Sequence, residues 1–402
     1  MKRQVKIPEV LFFQEGPGVR NTQYTSSGVK LLNVANLVNG KVDLSTSDRF
    51  ISNDEAYNKY SHFLCERGDF IVASSGIKVE YIDKKMGFIT EEMLPLCMNT
   101  STIRFRSLNH EVLNIRYFMY YLKSQHFKLQ LEKHITGSAQ LNYGPSHLAK
   151  MTIPLVDIYI QDSIVKKLDT LSRVMDYRRA QLTKLDELVK CRFVEMFGDI
   201  CNPCNRWSTS QIRELVTVEP QNGLYKAQSF YVKQGATPIL RIDAFYNGKV
   251  TNFIHLKRLK CTPEEIKKYL LHENDIVINR VNSIEYLGKC ALIQGLFEDT
   301  VFESNMMRFH LNENKIDPFY ATFVLSSQYT YVQILSKAKK AVNQASINQK
   351  DVLSLDLPVP PLHIQQQFSS FVQHIDKLRF VIQKSLDETQ TLFNSLMQQY
   401  FD

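Results

Sequence analysis

The two halves of this 402-residue chain match one another in order along almost their whole length, and that match constrains the fold more than any other feature. LLNVANLVNGKV at 31–42 and ILRIDAFYNGKV at 239–250 end in the same four residues. YTSSG at 24–28 lies over YVKQG at 231–235, and Lys59-Tyr60 lies over Lys268-Tyr269. ERGDFIV at 66–72 lies over HENDIVI at 272–278, TIRF ending at Phe105 over MMRF ending at Phe309, and YLKSQ ending at Gln125 over VLSSQ ending at Gln328. QLN at 140–142 answers SIN at 346–348. From Pro154 the register is gapless: Pro154 over Pro358, Gln161 over Gln365, Leu182 over Leu386, Leu188 over Leu392, Phe197 over Phe401. A period this long means duplicated domains, because solenoid repeats run about 20 to 50 residues. The length also exceeds what one hydrophobic core ordinarily serves.

Each copy has two parts. The first holds short β-rich runs (VKLLNVANL, DFIVASS and STIRFRS, then TPILRIDAF, DIVINRV and MMRFHL) set between Gly, Asn and Asp turn signals. It also holds a helical stretch, NIRYFMYYLKSQHFKLQLEKH or PFYATFVLSSQYTYVQILSKA, so an α+β head is expected. The second part has no Gly or Pro between Ile160 and Phe197, nor between Ile364 and Phe401. Apolar residues recur there with four-three spacing: Ile164, Leu168, Leu171, Met175, Leu182, Leu185, Val189 and Met196 in one copy. The other has Phe368, Val372, Ile375, Ile382, Leu386, Phe393, Leu396 and Tyr400. Sustained heptads indicate a coiled coil, broken here at Arg178, Arg192, Arg379 and Thr389.

The expected domains are a head at 1–159, a central helix at 160–200, a second head at 201–362 and a C-terminal helix at 363–402. That order requires the helices to pair antiparallel, giving a rod with a head near each end and a pseudo-twofold axis across its middle. A helix of about 36 residues is roughly 54 Å long, comparable with one to one and a half turns of duplex DNA at about 34–36 Å per turn.

The charge follows the same boundaries. The heads carry 19 Lys and Arg against 15 Asp and Glu each, while the helices carry 8 against 7 and 3 against 4. Two equally basic heads on neutral spacers suit a long polyanion contacted twice, and duplex DNA supplies the phosphates. No apolar run approaches the roughly 18–20 residues of a bilayer span, so no membrane partner is expected. The start MKRQVKIPEVLFFQEGPG has no small-residue cleavage site, and seven cysteines without framework spacing suit a reducing cytoplasm. The Cys201 and Cys204 pair lacks a second ligand pair at finger spacing and reads as a turn with free thiols.

At this point a resemblance becomes specific. QLNYGPSHLAKMTIPLVDIYIQDSI and SINQKDVLSLDLPVPPLHIQQQF each precede a heptad helix ending in MFGD or YFD, and each resembles the end of a target recognition domain in the specificity subunit of a Type I restriction-modification system. GVKLLNVANLVNGKV and RGDFIVASSG resemble the opening strands of such domains. The first copy lacks the double proline kept as Pro360-Pro361, so a different approach to its helix is expected. The resemblance implies a non-catalytic reader of double-stranded DNA, two α/β target recognition domains separated by an antiparallel coiled coil, each reading one half of a bipartite target. It implies two modification subunits that methylate adenine from S-adenosylmethionine, and motor-nuclease restriction subunits using ATP and Mg, with no cofactor or metal in this chain. The other reading is a coiled-coil scaffold with protein- or RNA-binding heads.

Base readout needs Arg, Lys, Asn and Gln within reach of base edges. The loop candidates in the first head are Arg20, Asn21, Gln23, Lys78, Lys84, Lys85, Gln140 and Asn142; in the second they are Lys226, Arg280, Asn282, Lys337, Lys339, Lys340, Asn343 and Gln344. KAKKAVNQ places three lysines beside amides and leads this group. Arg104 and Arg308 recur at matched strand positions and are expected to maintain the shared head. Phe12, Phe13, Phe118, Tyr120 and Tyr121 have core spacing, though an extruded base could stack on such rings. On the helices, Ile164, Leu168, Leu171, Arg178, Leu182, Phe368, Val372, Ile375, Arg379 and Leu386 are the expected partner-binding positions, with Arg178 and Arg379 facing helices of the partners.

Catalysis by the chain itself finds little support. Asp275, Glu285 and Lys289 suggest a metal nuclease, but the first head has no equivalent Glu-Lys pair, and Asp69 and Asp275 read as caps of a turn before a strand. DPFY at 317–320 has Phe where an amino-methyltransferase tetrapeptide needs another residue. GPG at 16–18 follows no βα unit, and there is no Walker A run.

Overall fold

The computed structural model describes residues 3–135, 141–201, 207–250, 253–342 and 344–402. They form two compact units, one of Met1–Ala180 with Gln383–Asp402 and one of Gln181–Ile382. The units group the chain differently from heads and helices: each takes one head, the root of the helix that leaves it and the far end of the other helix.

In the first unit an antiparallel sheet runs in the order Leu11–Glu15, Thr102–Ser107, Phe70–Ala73, Met86–Phe88. Phe70–Ala73 is buried at every position, as its unbroken apolar run demands. A second small sheet pairs Leu96–Met98 in parallel with Val29–Leu32, which pairs antiparallel with Phe50–Ile51. The single expected helical stretch is two helices, α1 (Ile115–Lys123) and α2 (Gln125–His134). Ser124 divides them, its extended backbone ending one helix while its hydroxyl accepts from the Phe127 N–H and caps the next. Arg3–Lys6 pairs antiparallel with Thr152–Leu155, so the head is closed just before the long helix α3 (Ile158–Phe197) begins.

The second unit repeats the plan. Its sheet runs Val216–Asn222, Met306–Leu311, Asp275–Asn279, Cys290–Leu292, then continues through Gly248–Val250 to Phe245–Tyr246. Thr237–Leu240 pairs in parallel with Val301–Phe302, as Val29–Leu32 does with Leu96–Met98. Helices α4 (Pro318–Leu325) and α5 (Gln328–Lys337) follow, Thr209–Gln211 pairs with Asp356–Pro358, and α6 (Leu362–Phe401) leaves the head. The long helices start and end at matched residues, Ile158 with Leu362 and Phe197 with Phe401, slightly earlier than heptads alone place them.

The approach to the two helices is the same despite the missing prolines. Buried Gln161 accepts from the Asn114 N–H and donates to the Val156 carbonyl; buried Gln365 accepts from the Asp317 N–H and donates to the Pro360 carbonyl. One side chain thus ties each long helix to the first helix of its head and to the strand before it, making the double proline dispensable. DPFY is a helix start, with the Asp317 carboxylate accepting from the Tyr320 N–H.

Helix ends are packed as core. In the first unit Ile164, Val165 and Leu168 of α3 join Met397 and Phe401 of α6 and Tyr117, Tyr120 and Tyr121 of α1 in one cluster. The Phe401 ring lies 5.0 Å from that of Tyr117. In the second unit Phe197 stands 4.8 Å from Tyr320, the counterpart of Tyr117. There the helices run antiparallel, since Phe197 meets Phe368, Arg192 lies over Phe371 and Asp186 meets Arg379.

Candidate nucleic-acid interface

Beneath each head's outer surface the same ionic knot is buried. Arg104 lies 3.3 Å from Asp69 and donates to Gln14; Arg308 lies 3.3 Å from Asp275 and donates to Gln221. Asp69 also accepts from the Glu66 N–H and Asp275 from the His272 N–H, each closing the turn before its strand. A third partner differs, Arg106 on Asp69 and His310 on Asp275. The turn-capping aspartates and the maintaining arginines of the sequence are therefore one device. Asp275 is buried at 1% exposure and engaged by Arg308, His310 and the His272 N–H, while Glu285 is exposed, so the nuclease constellation does not assemble. Among the described residues no cluster of His, Cys, Asp and Glu could hold a metal ion.

The repeated NGKV is a hairpin turn. Asn39 and Gly40 have φ of 50° and 78°, and Asn247 and Gly248 have the same two values. Two consecutive left-handed residues make the turn that matches strand twist, and Asn-Gly is the favoured pair for it. In the first head the hairpin joins Leu37–Val38 to Lys41–Val42 and lies against Gly87, where a Cβ would stand 2.7 Å from the Val42 nitrogen.

Facing that turn is a lysine with a fixed head group. Lys85 donates to the Val34 carbonyl at 3.5 Å and Lys289 to the Ile242 carbonyl at 2.9 Å. Lys289 is enclosed by Tyr246, Phe245 and Tyr286, with ring centroids at 4.0, 4.7 and 5.7 Å, and this desolvation holds its ammonium below the ordinary lysine range while Asp243 opposes the shift. In the first head the space between turn and lysine is a cavity of about 540 Å³, lined by Val38, Asn39, Lys78, Tyr81, Lys84 and Lys85 among others. Beside it the ribbon Ser75–Ile77 pairs with Leu141–Asn142. The corresponding ribbon of the second head is larger, with Val281–Asn282 paired to Ala345–Ser346 and these to Lys339–Lys340.

The structure therefore brings together Lys78, Lys84 and Lys85, with Asn142 on the adjoining ribbon. It brings together Asn282, Lys339 and Lys340, with Gln344 in the loop that joins Lys339–Lys340 to the central strand Ala345–Ser346 and Lys337 at the end of α5 just before them. Other candidates have partners within their own head. Gln23 donates to Glu55 and Tyr60; Lys226 pairs with Glu265 at 2.7 Å over the Phe230 ring; Arg280 donates to the Ser304 carbonyl. Each was an exposed donor in the sequence, and each has a partner distant in the chain that only folding supplies. Arg20 and Asn21 are exposed on the short helical turn that Gln23 secures. Gln140, Asn343 and Cys204 lie outside the described residues. Sequence reasoning missed Tyr246 and Tyr286, about half exposed beside Lys289; the repeated NG turn was the signal that could have found them. Phe118, Tyr120 and Tyr121 are core, while Phe12 is exposed under the Arg104 guanidinium.

The helix positions differ in burial. Ile164, Leu168, Phe368, Val372, Ile375 and Leu386 are buried, most of them in the cores of their own units, and Leu171 and Leu182 are half-buried. Heptad spacing finds the face that buries, and here the chain itself covers it. Arg379 pairs with Asp186 and Asp376, and Arg178 is half-buried. The apolar residues left outward are Tyr159, Ile160, Val174, Tyr177, Leu188 and Val194 on α3, and Leu378, Phe380, Val381 and Leu392 on α6.

A family profile described as the Type I restriction modification DNA specificity domain matches residues 19–187 and again 205–389. The chain belongs to that family. It carries two DNA specificity domains, and its match spans about half to two thirds of the length of two type I specificity subunits among its relatives. Among its relatives, the StySPI specificity subunit of Salmonella potsdam is 23% identical over 92% of this chain and 80% of its own length. The EcoKI specificity subunit of Escherichia coli is 22% identical over 70% of this chain and 63% of its own. The putative MjaX specificity subunit of Methanocaldococcus jannaschii is 30% identical over 48% of this chain, and the match spans 45% of that relative. The fold is that of a solved type I S subunit from M. genitalium, with a TM-score of 0.60, 14% identity and coverage of 100% of this chain and 96% of that one. A structure from a study of complex assembly in a type I system has a TM-score of 0.57 at 14% identity, covering 99% and 97%. No helix among the described residues is long and apolar enough to cross a membrane.

Proposed function

We propose that this chain selects the DNA target of a type I restriction-modification complex, each head reading one half of a bipartite duplex site. The observation that carries the reading is the repetition of one framework, ionic knot, Asn-Gly turn and fixed lysine, under side chains that differ between the heads. A shared frame with divergent lining suits two related but unequal half-sites. The net positive charge of each head supplies phosphate attraction, which is independent of sequence.

The outward apolar residues of α3 and α6 would dock two modification subunits, which transfer a methyl group from S-adenosylmethionine to adenine; motor-nuclease subunits would join with ATP and Mg, all in the cytoplasm. The chain contributes target choice and no chemistry. The test is to map adenine methylation in the source cell with and without the gene, and with residues 201–362 exchanged for another head. The expected result is one two-part motif that disappears on deletion and changes in one half only on exchange. A methylome indifferent to the gene, with no bipartite footprint of the assembled complex on duplex DNA, would leave the scaffold reading.

A further inference from the structure

The cleft between the Asn-Gly turn and the fixed lysine has the same frame in both heads and a different lining. The frame is matched residue by residue. The residue before each Asn is Val38 or Tyr246. The lysine carbonyl accepts from the N–H of Ala73 at 2.9 Å or of Asn279 at 2.8 Å, so Lys85 and Lys289 stand at the same point of the sheet. Tyr81 and Tyr286 each donate an N–H to the carbonyl three residues earlier, Lys78 or Ser283, on the turn that leads to that lysine.

On this frame the first head places two exposed ammonium groups, Lys78 and Lys84, at the cavity. Lys84 lies over the Tyr81 ring at 5.0 Å, and Lys78 has only an exposed pairing with Glu80 at 3.7 Å, which water and salt weaken. The second head has no lysine at those two points and adds a ring at the turn: Tyr246 stands where the first head has Val38 and joins Tyr286, the match of Tyr81, the two 51% and 52% exposed, with the enclosed Lys289 behind them. Asn282 adds an amide whose oxygen is occupied by the Ser283 N–H, leaving its NH₂ as a donor.

We propose that this cleft is the specificity-determining element of each head: Lys78 and Lys84 donate to the guanine O6 and N7 acceptors of the first half-site, whereas Tyr246 and Tyr286 make the apolar contact of the second half-site, against a thymine methyl. The assignment rests on the DNA-reading function proposed above. Lysine donors match the two guanine acceptors of the major groove, and apolar groups match the thymine methyl. Lys85 and Lys289, each with an ammonium N–H directed to a backbone carbonyl, belong to the shared frame.

The test uses the assembled complex in its cell, with methylation mapped for the wild type, for Lys78→Gln with Lys84→Gln, and for Tyr246→Val with Tyr286→Ser. Tyr246→Val installs the residue of the first head; Lys78 and Lys84 are exposed, so thermal unfolding of the lysine variant is expected to be unchanged, and that of the tyrosine variant, which uncovers Lys289, is measured beside it so that a folding loss is told from relaxed readout. The lysine variant is expected to relax one guanine position of the half-site that changes when residues 1–159 are exchanged, about ten-fold or more in relative methylation. The tyrosine variant is expected to relax a thymine position of the other half. Unaltered discrimination at every position, or a uniform fall in methylation without relaxation, overturns the assignment; the second result would give these lysines to phosphates. If the wild type methylates no two-part motif, the DNA-reading function fails first and the cleft assignment falls with it.

Discussion

Arg104 and Asp69 face one another at 3.3 Å with 3% and 1% of their surfaces exposed, and Arg308 and Asp275 repeat that distance in the other head. A buried pair contributes little net stability over an apolar replacement, but removing one member strands the other. Asp275→Ala is therefore expected to destabilise its unit by about 3–5 kcal/mol, with Asp69→Ala acting alike in the other. Denaturant unfolding followed separately in the two units measures this, and a loss below 1 kcal/mol would remove the knot from the framework.

The glutamines at the helix roots make a second expectation. Gln365→Ala leaves the Asp317 N–H and Pro360 carbonyl without their partner, at about 1–3 kcal/mol. Gln161→Ala does the same to Asn114 and Val156. Urea midpoints of the two variants, compared with exposed Gln398→Ala, test whether these side chains fix the helices.

Glu303 supplies a pH dependence. Burial holds its carboxyl above the ordinary glutamate range, against the lowering effects of the Ile242 N–H and Arg241. The folded form thus binds the proton more tightly than the unfolded one. Its share of stability is complete below the ordinary glutamate range and is lost as pH rises through the raised value. Glu303→Gln is expected to flatten stability across that window, and denaturation measured at a series of pH values checks the slope.

Phe380 is 71% exposed on α6, with Leu378 and Val381 also outward. Phe380→Glu with Val381→Lys is expected to weaken co-purification with the modification subunits by ten-fold or more while leaving unfolding of the isolated chain within about 0.5 kcal/mol. Undiminished assembly would place the partners elsewhere.

Adding one heptad to both α3 and α6 adds about 10 Å of helix. The unread spacer of the target is expected to grow by about three base pairs at roughly 3.4 Å each. Methylome mapping of the insertion variant reads the spacer directly, and an unchanged spacer would end the ruler idea.

The α+β heads, both long helices and the place of the NG turn were legible because each depends on local pattern: β-rich runs between turn residues, heptads without Gly or Pro, and a dipeptide that favours left-handed backbone. The two-helix form of each helical stretch was hidden because Ser124 is an ordinary helix-surface residue until its hydroxyl is seen to cap. Site residues were less legible. Lys226 and Gln23 have the composition of nucleic-acid contacts, and only the fold brings Glu265 and Glu55 to them. Tyr246 and Tyr286 carried no polar signal, and their place beside Lys289 depends on a parallel pairing of Gly248–Val250 with Cys290–Leu292. On the helices periodicity marks what is buried, and most of that stripe belongs to the chain's own cores.

Because Phe401 completes the core of the first unit and Phe197 that of the second, neither half of the chain contains a whole folding unit. A gene cut between the halves would encode two incomplete products, yet either one could finish itself by borrowing the helix end of an identical neighbour.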